Sequence, residues 1–222
     1  LSLHDALPIY TMINNPRPTR AEVADIANAI YSYTDALMLS GETASGKYPI
    51  EACRTMAKIA ERAEKDAHRD GFIDIPLNSE MGQREFLAKS AIEATEQLGV
   101  KGIITDGDTG KTARNLAAFR GPNPVLAICY HEKLQRWLNL SYGLIPIYQQ
   151  QHKSKHELFT AALRMLRQRG FIKSTDKIAY LSGMRGKEGG TSFLEINTVS
   201  AVFADTYKFH LRDVENENVE EK

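Results

Sequence analysis

The 222-residue chain lacks several features that mark whole classes of protein. Its two cysteines, Cys53 and Cys129, fit a reducing cytosol better than a disulfide framework. No apolar run approaches the roughly 20 residues that a membrane-spanning helix needs. Lys plus Arg and Asp plus Glu number 28 each, so the basic excess of a nucleic-acid binder is missing. We therefore expect a cytoplasmic protein that binds neither membrane nor nucleic acid.

Residues that commonly bind metals are scattered along the chain. His152 and His156 are four residues apart, but no carboxylate or cysteine cluster completes a metal site around them. Cys53 and Cys129 fall within apolar patterns, which predicts that both are buried packing residues. The sequence thus predicts no metal ligand in this chain.

Residues 11–69 have the pattern helix, strand, loop, helix, whereas residues 1–10 fit no element and are expected to be non-native. Thr19 and Glu22 form a capping box that opens the first helix. Its predicted buried face is Val23, Ile26, Ala27 and Ile30. The apolar run at 35–39 predicts a buried parallel strand, which the small-residue loop 40–46 follows. Pro49 opens the second helix, whose predicted buried face is Ile50, Cys53, Met56, Ala57 and Ala60.

A single buried strand cannot pair both of its edges, so residues 11–69 correspond to the end of a β/α repeat and not to a whole fold. Residues 70–83 combine Gly, Pro, Asn and Ser without helical periodicity and are predicted to be a linker. From 84 to 213 strands and helices alternate, which predicts a mostly parallel sheet with helices on both faces. The last strand is predicted at 193–203, and the polar tail 214–222 is expected to be disordered.

Three blocks, at residues 12–22, 38–44 and 47–52, closely resemble the pyruvate kinase family in residues, order and spacing. The resemblance implies an α/β fold: the last part of a (β/α)8 barrel followed by a doubly wound, mostly parallel α/β domain. It also implies a cytoplasmic, homotetrameric, allosteric glycolytic enzyme that transfers a phosphoryl group from phosphoenolpyruvate to ADP, giving pyruvate and ATP. The implied cofactors are Mg²⁺ and K⁺.

Barrel enzymes carry their chemistry at the carboxyl ends of the strands, which is where the loop 40–46 lies. By resemblance, Ser40 lines the pocket near the enolate and Glu42 orients the loop. The residues expected to border the nucleotide are Thr43, Ser45 and Lys47. A hydroxyl that only caps the strand end is the alternative for Ser40. The resemblance places the catalytic lysine and the metal-binding Glu and Asp before this chain begins, so the chain alone is expected to be inactive.

A second loop, residues 105–112, lies between a predicted strand and a predicted helix. A helix N-terminus with a lysine and hydroxyls suits an anion, but Thr105 stands where a P-loop needs glycine. In the resembling family this loop binds a phosphate of an allosteric effector, and a glycine-rich loop closes over it. The corresponding residues here are Thr109, Gly110, Lys111 and Thr112, with Arg185 or Lys187 on the closing loop.

Several alternatives remain open for this second region. Asp106 and Asp108 place negative charge on the loop, and Leu158 stands where some relatives have a phosphate-binding arginine, which argues against a sugar bisphosphate. A loop that merely caps a helix is the simpler interpretation. The chain as a whole is alternatively a stand-alone ligand-sensing α/β regulatory domain, or an assembly module that pairs through its last strand. Trp137 is predicted to be a core residue with Leu134 and Leu138.

Overall fold

The computed structural model describes residues 9–67, 82–150, 155–183 and 190–204. The chain divides into two compact units, Leu1–Phe72 (unit 1) and Ile73–Lys222 (unit 2). This division falls within the predicted linker at 70–83, most of which lies outside the described residues. The described parts contain no helix that is both long and apolar enough to cross a bilayer.

Unit 1 consists of helices around a small apolar cluster. Its elements are a 3-10 helix, Tyr10–Ile13, and the helices α1 (Arg20–Tyr31), α2 (Gly41–Ala44) and α3 (Pro49–Ala67). The predicted capping box at the start of α1 is confirmed: the Glu22 N–H donates to Thr19 Oγ1, and the Thr19 N–H donates to Glu22 Oε2 at 2.8 Å. The cluster is formed by Ile9, Met12, Ile26 and Ala52.

The strand predicted at 35–39 is not formed. Residues 36–39 are part of no ladder, and no strand is present among the residues described in unit 1. A strand exists only when a neighbour satisfies its backbone groups, and local apolar character cannot replace that neighbour. Leu37 and Leu39 are half-buried against the unit 1 cluster, so the side chains are partly covered while the backbone is unpaired.

The buried face of α3 is not the predicted one. Ile50 is 59% exposed and Cys53 is also exposed, whereas Ala52 and Ala63 are buried. The helix carries two apolar stripes, and the buried one has the spacing Ala52, Met56, Ile59 and Ala63. Because both stripes have helical periodicity, only the packing of α3 against α1 decides between them. On α1, Ile26 is buried as expected but Val23 is exposed.

Unit 2 is an α/β domain built on a five-stranded sheet in the order β3-β2-β1-β4-β5. Its elements are α4 (Gln83–Gln97), β1 (Gly102–Gly107), α5 (Lys111–Ala118), β2 (Val125–Cys129), α6 (Glu132–Leu138), β3 (Leu144–Tyr148), α7 (Lys155–Gln168), β4 (Lys177–Gly183) and β5 (Thr191–Thr198). The first four strands are parallel, and β5 is antiparallel to β4. The predicted doubly wound, mostly parallel architecture is confirmed.

The last strand is shorter than predicted. The chain turns into a short helix at 199–204, because Thr198 Oγ1 accepts a hydrogen bond of 3.3 Å from the Ala201 N–H and so caps that helix. Threonine suits a strand as well as a helix cap, so residue type alone does not reveal where the strand ends.

Both faces of the sheet are covered. Alternate strand residues such as Ile104, Leu126 and Ile128 pack against α7 and the helix at 199–204 in one core cluster. The other face packs against α4 and α5, with α6 beside β2 and β3. Strand residues that are adjacent in sequence therefore point to different layers.

Candidate functional site: the edge of the sheet at strands β1 and β4

The sheet order places the loop after β1 at a topological switch point. Chain progression runs from β1 outward to β3, and the chain then returns to place β4 on the other side of β1. Since β1 and β4 are parallel, Gly107 and Gly183 end at the same edge. Open α/β sheets bind ligands outside the carboxyl ends of the strands at such a point. The predicted anion loop lies at this edge.

A cavity of about 30 Å³ lies at the start of α5. Its lining residues come from the end of β1, the loop, the first turn of α5, β2 and α6: Thr105, Asp106, Gly107, Thr109, Gly110, Lys111, Thr112, Ala113, Ala127, Ile128, Cys129, Leu134 and Leu138. Space of this size holds about one or two water molecules. Its position at a helix N-terminus makes it suitable for one small polar or anionic group.

Gly110 is the N-cap of α5, and any other residue would be strained there. Its φ is +70°, and a Cβ at this position would lie 2.9 Å from Leu138 Cδ2 and 3.0 Å from Leu134 Cδ1. A glycine N-cap has no side chain to accept from the first turn, and α5 has no side-chain cap. The nearest hydroxyl, Thr109 Oγ1, is 3.5 Å from the Lys111 N–H, at the limit of a hydrogen bond. Backbone N–H groups in the first turn of α5 are thus available to a ligand.

Thr105 contributes a buried hydroxyl to this cavity. The residue is 2% exposed, and its Oγ1 has no hydrogen-bond partner among the described residues. An unpaired buried hydroxyl costs roughly 1–3 kcal/mol, so it favours a ligand or water atom in the cavity. Sequence reasoning considered Thr105 only as a missing P-loop glycine. The available signal was a β-branched polar residue at the end of an apolar run, where Thr105 is the last buried residue of β1.

Cys129 faces the same cavity from β2. Burial raises the pKa of its thiol to about 11, against a weaker lowering by a backbone hydrogen bond from Ile147. The thiol is therefore neutral at physiological pH and adds no negative charge to the site. The prediction that Cys129 is a buried packing residue is confirmed, whereas the same prediction for Cys53 is wrong.

The two hydroxyls that face each other between α5 and β5 form a contact that the sequence did not predict. Thr112 Oγ1 lies 2.7 Å from Thr191 Oγ1. Thr112 is the second residue of α5, and Thr191 is the first of β5. Lys111 is exposed at the cavity. The two predicted closing residues, Arg185 and Lys187, lie outside the described residues.

The position of Asp106 in the loop suggested that its charge lies at the start of α5, but its carboxylate binds two tyrosines instead. Its carboxylate accepts from Tyr130 Oη at 2.5 Å and from Tyr180 Oη at 3.0 Å. Both tyrosines belong to the cluster that packs against α7, which is the layer opposite α5. Asp108 forms a partly exposed contact of 3.6 Å with His131 Nε2.

The structure also shows where Leu158 and Trp137, two residues discussed in the sequence analysis, lie. Leu158 is buried in the core cluster that packs on the α7 face of the sheet. Trp137 is 58% exposed, so its prediction as a core residue is wrong, while Leu134 and Leu138 are buried as expected. The seven-residue helix α6 turns these two leucines inward, which leaves Trp137 outside beneath the guanidinium of Arg114 at 4.7 Å.

The loop of unit 1 is also ordered around a buried acid. Glu42 is fully buried, and its Oε2 accepts from the Ser40 N–H at 2.9 Å. Its Oε1 has no partner among the described residues. The hydroxyl of Thr43 donates to Ser40 O at 3.3 Å. Glu42 thus contacts the backbone of the loop, and Ser40 is exposed to solvent. The functional roles of both residues stay predictions.

The other predicted loop residues are displayed on the surface of unit 1. Thr43, Ser45 and Lys47 are exposed, and the Lys47 N–H donates to Ile13 O at 2.8 Å. Gly46 is required by packing, because a Cβ there would lie 2.3 Å from Glu42 O. The described ranges bring no three His, Cys, Asp or Glu side chains together as a metal site.

Taken together, the fold and the loop define a doubly wound α/β domain with an anion-suited edge, preceded by a short helical unit. Comparison with known families matches residues 85–197 to the pyruvate kinase alpha/beta domain and residues 8–53 to the pyruvate kinase barrel domain. The chain belongs to the pyruvate kinase family. The barrel match begins at residue 8, and Ile9 is buried in the unit 1 cluster. The non-native origin expected for residues 1–10 stays a prediction.

Curated relatives agree with the family match. The pyruvate kinase of Borreliella burgdorferi is 44% identical over 194 residues, which is 86% of this chain and 41% of the relative. That of Clostridium acetobutylicum is 38% identical over 191 residues, 85% of this chain and 40% of the relative. Pyruvate kinase 2 of Synechocystis sp. is 36% identical over 197 residues, 86% of this chain and 32% of the relative. The chain thus spans about two fifths or less of the length of these relatives.

Proposed function

We propose that this chain supplies the last part of the barrel and the C-terminal domain of an enzyme that transfers the phosphoryl group of phosphoenolpyruvate to ADP, giving pyruvate and ATP. The observation that carries the proposal is the ordered match to both domains of one family, together with the ordered Ser40–Glu42 loop in the barrel match. The enzyme is cytoplasmic and homotetrameric.

Ser40 is the proposed catalytic residue of this chain. Its exposed hydroxyl lies near the enolate and passes a proton through water, while Glu42 holds the Ser40 backbone N–H. Thr43, Ser45 and Lys47 border the nucleotide. Because Glu42 is fully buried and has one oxygen committed to Ser40, its carboxylate is unsuited to bind Mg²⁺ in solvent contact.

The described residues bring no three His, Cys, Asp or Glu side chains together. By resemblance to the family, we assign the ligands of Mg²⁺ and K⁺ to the rest of the barrel. The catalytic lysine is assigned there as well. The chain taken alone is for this reason inactive.

The edge of unit 2 is the proposed allosteric site for a phosphorylated effector. Thr109, Gly110, Lys111 and Thr112 surround the phosphate, and Arg185 or Lys187 closes from the following loop. The uncapped start of α5 and the unpartnered Thr105 hydroxyl support this assignment over a loop that only caps the helix.

The second candidate is a stand-alone ligand-sensing domain. It is favoured by the sheet of unit 2, which has both faces covered, and by the cavity that lies beside β1 and β2 at the start of α5.

Activity measurements separate these candidates. The full chain is assayed with phosphoenolpyruvate, ADP, Mg²⁺ and K⁺, with pyruvate detected by lactate dehydrogenase, and no turnover is expected. A chimera then joins the first three fifths of the Borreliella burgdorferi relative to this chain from Met12 onward. Turnover is expected in the chimera, and a folded chimera without turnover would favour the sensing domain.

The chimera also tests the role of Ser40. Ser40→Ala is expected to lower kcat by about 10²-fold or more, in the range of general acid–base contributions. Ser32→Ala, at the exposed end of α1, is the matched control and is expected to leave kcat unchanged. Equal kcat values for the two variants would restrict Ser40 to capping.

A further inference from the structure

We propose that Thr191 is a positioning residue of the anion site: its hydroxyl donates to Thr112 and thereby points the Thr112 hydrogen at an anion bound at the start of α5. This inference rests on the proposed effector site. It goes beyond that site by adding a residue from β5, which no motif in the sequence indicates.

The contact joins two elements that are far apart in sequence. Thr112 and Thr191 are 79 positions apart, and their hydroxyl oxygens are 2.7 Å apart, a typical O–H···O separation. Thr191 is 7% exposed and pairs with Gly183 at the end of β4. Thr112 lines the cavity together with Gly110 and Thr105. Thr191 therefore reaches the cavity through Thr112.

Proton counting fixes the direction of this hydrogen bond when an anion is present. A threonine hydroxyl has one hydrogen and two lone pairs, so in the pair one hydroxyl donates and the other accepts. An anion only accepts, which means that Thr112 must keep its own hydrogen for the anion. Thr191 must then be the donor to Thr112. A chain of this kind, ending on a charge, is strengthened at each bond by polarisation.

Two independent features of the cavity point to a ligand there. The hydroxyl of Thr105 is buried without a partner among the described residues, and the N-cap of α5, Gly110, has no side chain to accept from the first turn. Asp106 also lines the cavity, but its half-buried carboxylate accepts hydrogen bonds from Tyr130 and Tyr180 in the opposite layer. A bound anion at the start of α5 thus meets hydroxyl and N–H donors.

The test measures the Kd of inorganic phosphate for the full chain by titration calorimetry. Thr191→Val keeps the shape but removes the donor, and it is expected to raise Kd about 3- to 10-fold, the worth of one neutral hydrogen bond. Thr191→Ser keeps the hydroxyl and is expected to stay within about 2-fold of the wild-type value. Ser192→Ala, at the exposed neighbouring position, is the matched control and is expected to bind normally.

A double-variant cycle separates positioning from a merely structural role. Thr112→Val removes the direct donor and is expected to raise Kd about 10- to 100-fold, as for a hydrogen bond to a charged group. In that background Thr191→Val is expected to add less than about 2-fold, because the donor it orients is gone. Additive effects of the two variants would overturn the proposal.

The remaining outcomes are also decisive. If the wild-type chain binds no phosphate, the effector site fails and the proposal fails with it. If Thr112→Val weakens binding while Thr191→Val does not, the site stands and only the role of Thr191 is overturned. Thr191→Ala is the second variant should valine prevent folding. Binding by Thr191→Ala as tight as by Thr191→Ser would again reject the role of Thr191.

Discussion

The two units of this chain treat similar apolar runs in different ways. In unit 2 the run Val125–Cys129 is a buried strand between two parallel neighbours. In unit 1 the run at 35–39 is equally apolar at its centre, yet it forms no strand, because the described part of that unit offers no neighbour. The comparison teaches that strand formation here depends on the partner more than on the local sequence.

The same contrast is seen in how the units cover their apolar side chains. Unit 2 buries a continuous cluster on the α7 face of its sheet. Unit 1 has a small cluster, and its described range 9–67 exposes six large apolar side chains, those of Tyr10, Val23, Tyr31, Tyr33, Met38 and Ile50. The described part of unit 2 is almost twice as long and exposes seven: Phe86, Leu98, Trp137, Leu140, Tyr148, Phe171 and Phe193. Exposed apolar surface promotes association, so we expect the chain by itself to be poorly soluble.

The largest expected difference between the units is in thiol reactivity. Cys53 on α3 is exposed, whereas Cys129 is buried and its pKa is raised to about 11. With this pKa, about one in 1,000 Cys129 thiols is ionised at pH 8. Because only the thiolate reacts, Cys129 is expected to react slowly. Reaction with Ellman's reagent is expected to be at least about 100-fold faster at Cys53, measured in Cys129→Ser and Cys53→Ser variants. Similar rates would show that unit 2 opens readily.

The next largest effect concerns the independence of the two cores. Ile104→Ala removes a fully buried side chain from unit 2 and is expected to lower its free energy of unfolding by about 2–5 kcal/mol. Urea unfolding followed by the fluorescence of Trp137, the single tryptophan, reports on unit 2. Ile26→Ala in unit 1 is the control and is expected to leave that midpoint unchanged. An equal shift from both variants would merge the two units into one cooperative domain.

A smaller effect is expected at the start of α5. Gly110→Ala combines a left-handed backbone with a contact at 2.9 Å, and is expected to destabilise unit 2 by about 2–4 kcal/mol. Gly99→Ala has a similar φ of +67° but no atom within 4 Å of the added Cβ, so about 1–2 kcal/mol is expected. Both variants are measured by thermal unfolding, and the difference between their losses of stability gives the cost of the contact with Leu134 and Leu138. Equal losses would mean that these leucines move aside freely.

The smallest effect is the pH dependence of unit 1. Burial acts to raise the pKa of Glu22, but hydrogen bonds from Thr11 and Thr19 outweigh it and hold the pKa below its usual value. Because the pKa of Glu22 is lower in the folded state than in the unfolded state, the ionised carboxylate stabilises the unit at a pH above its unfolded-state pKa. This stabilisation is lost as the pH falls through the folded-state pKa. Helical circular dichroism is therefore expected to decrease at acidic pH, and less so in Glu22→Gln. Glu51→Gln, in the exposed first turn of α3, is the control and is expected to titrate as the wild type does.

The sequence predicted most of the fold of unit 2 because strand–helix alternation there is regular and each element has its partner within the chain. The sequence did not predict features that depend on how the elements pack against one another. The two apolar stripes of α3 have equal periodicity, so the exposure of Ile50 and Cys53 was not predictable. Likewise, adjacent strand residues point to opposite layers, and the sequence did not reveal that Asp106 binds two tyrosines while Thr105 faces the cavity.

Hydrogen–deuterium exchange on the intact chain tests the contrast between the units most directly. Amides of β1 at Ile103–Thr105 lie between two paired strands and are expected to be protected about 10³-fold or more. Amides of residues 36–39 have no ladder partner and are expected to exchange at close to the unprotected rate. Comparable protection of the two segments would contradict the account, because it would require a paired strand in unit 1.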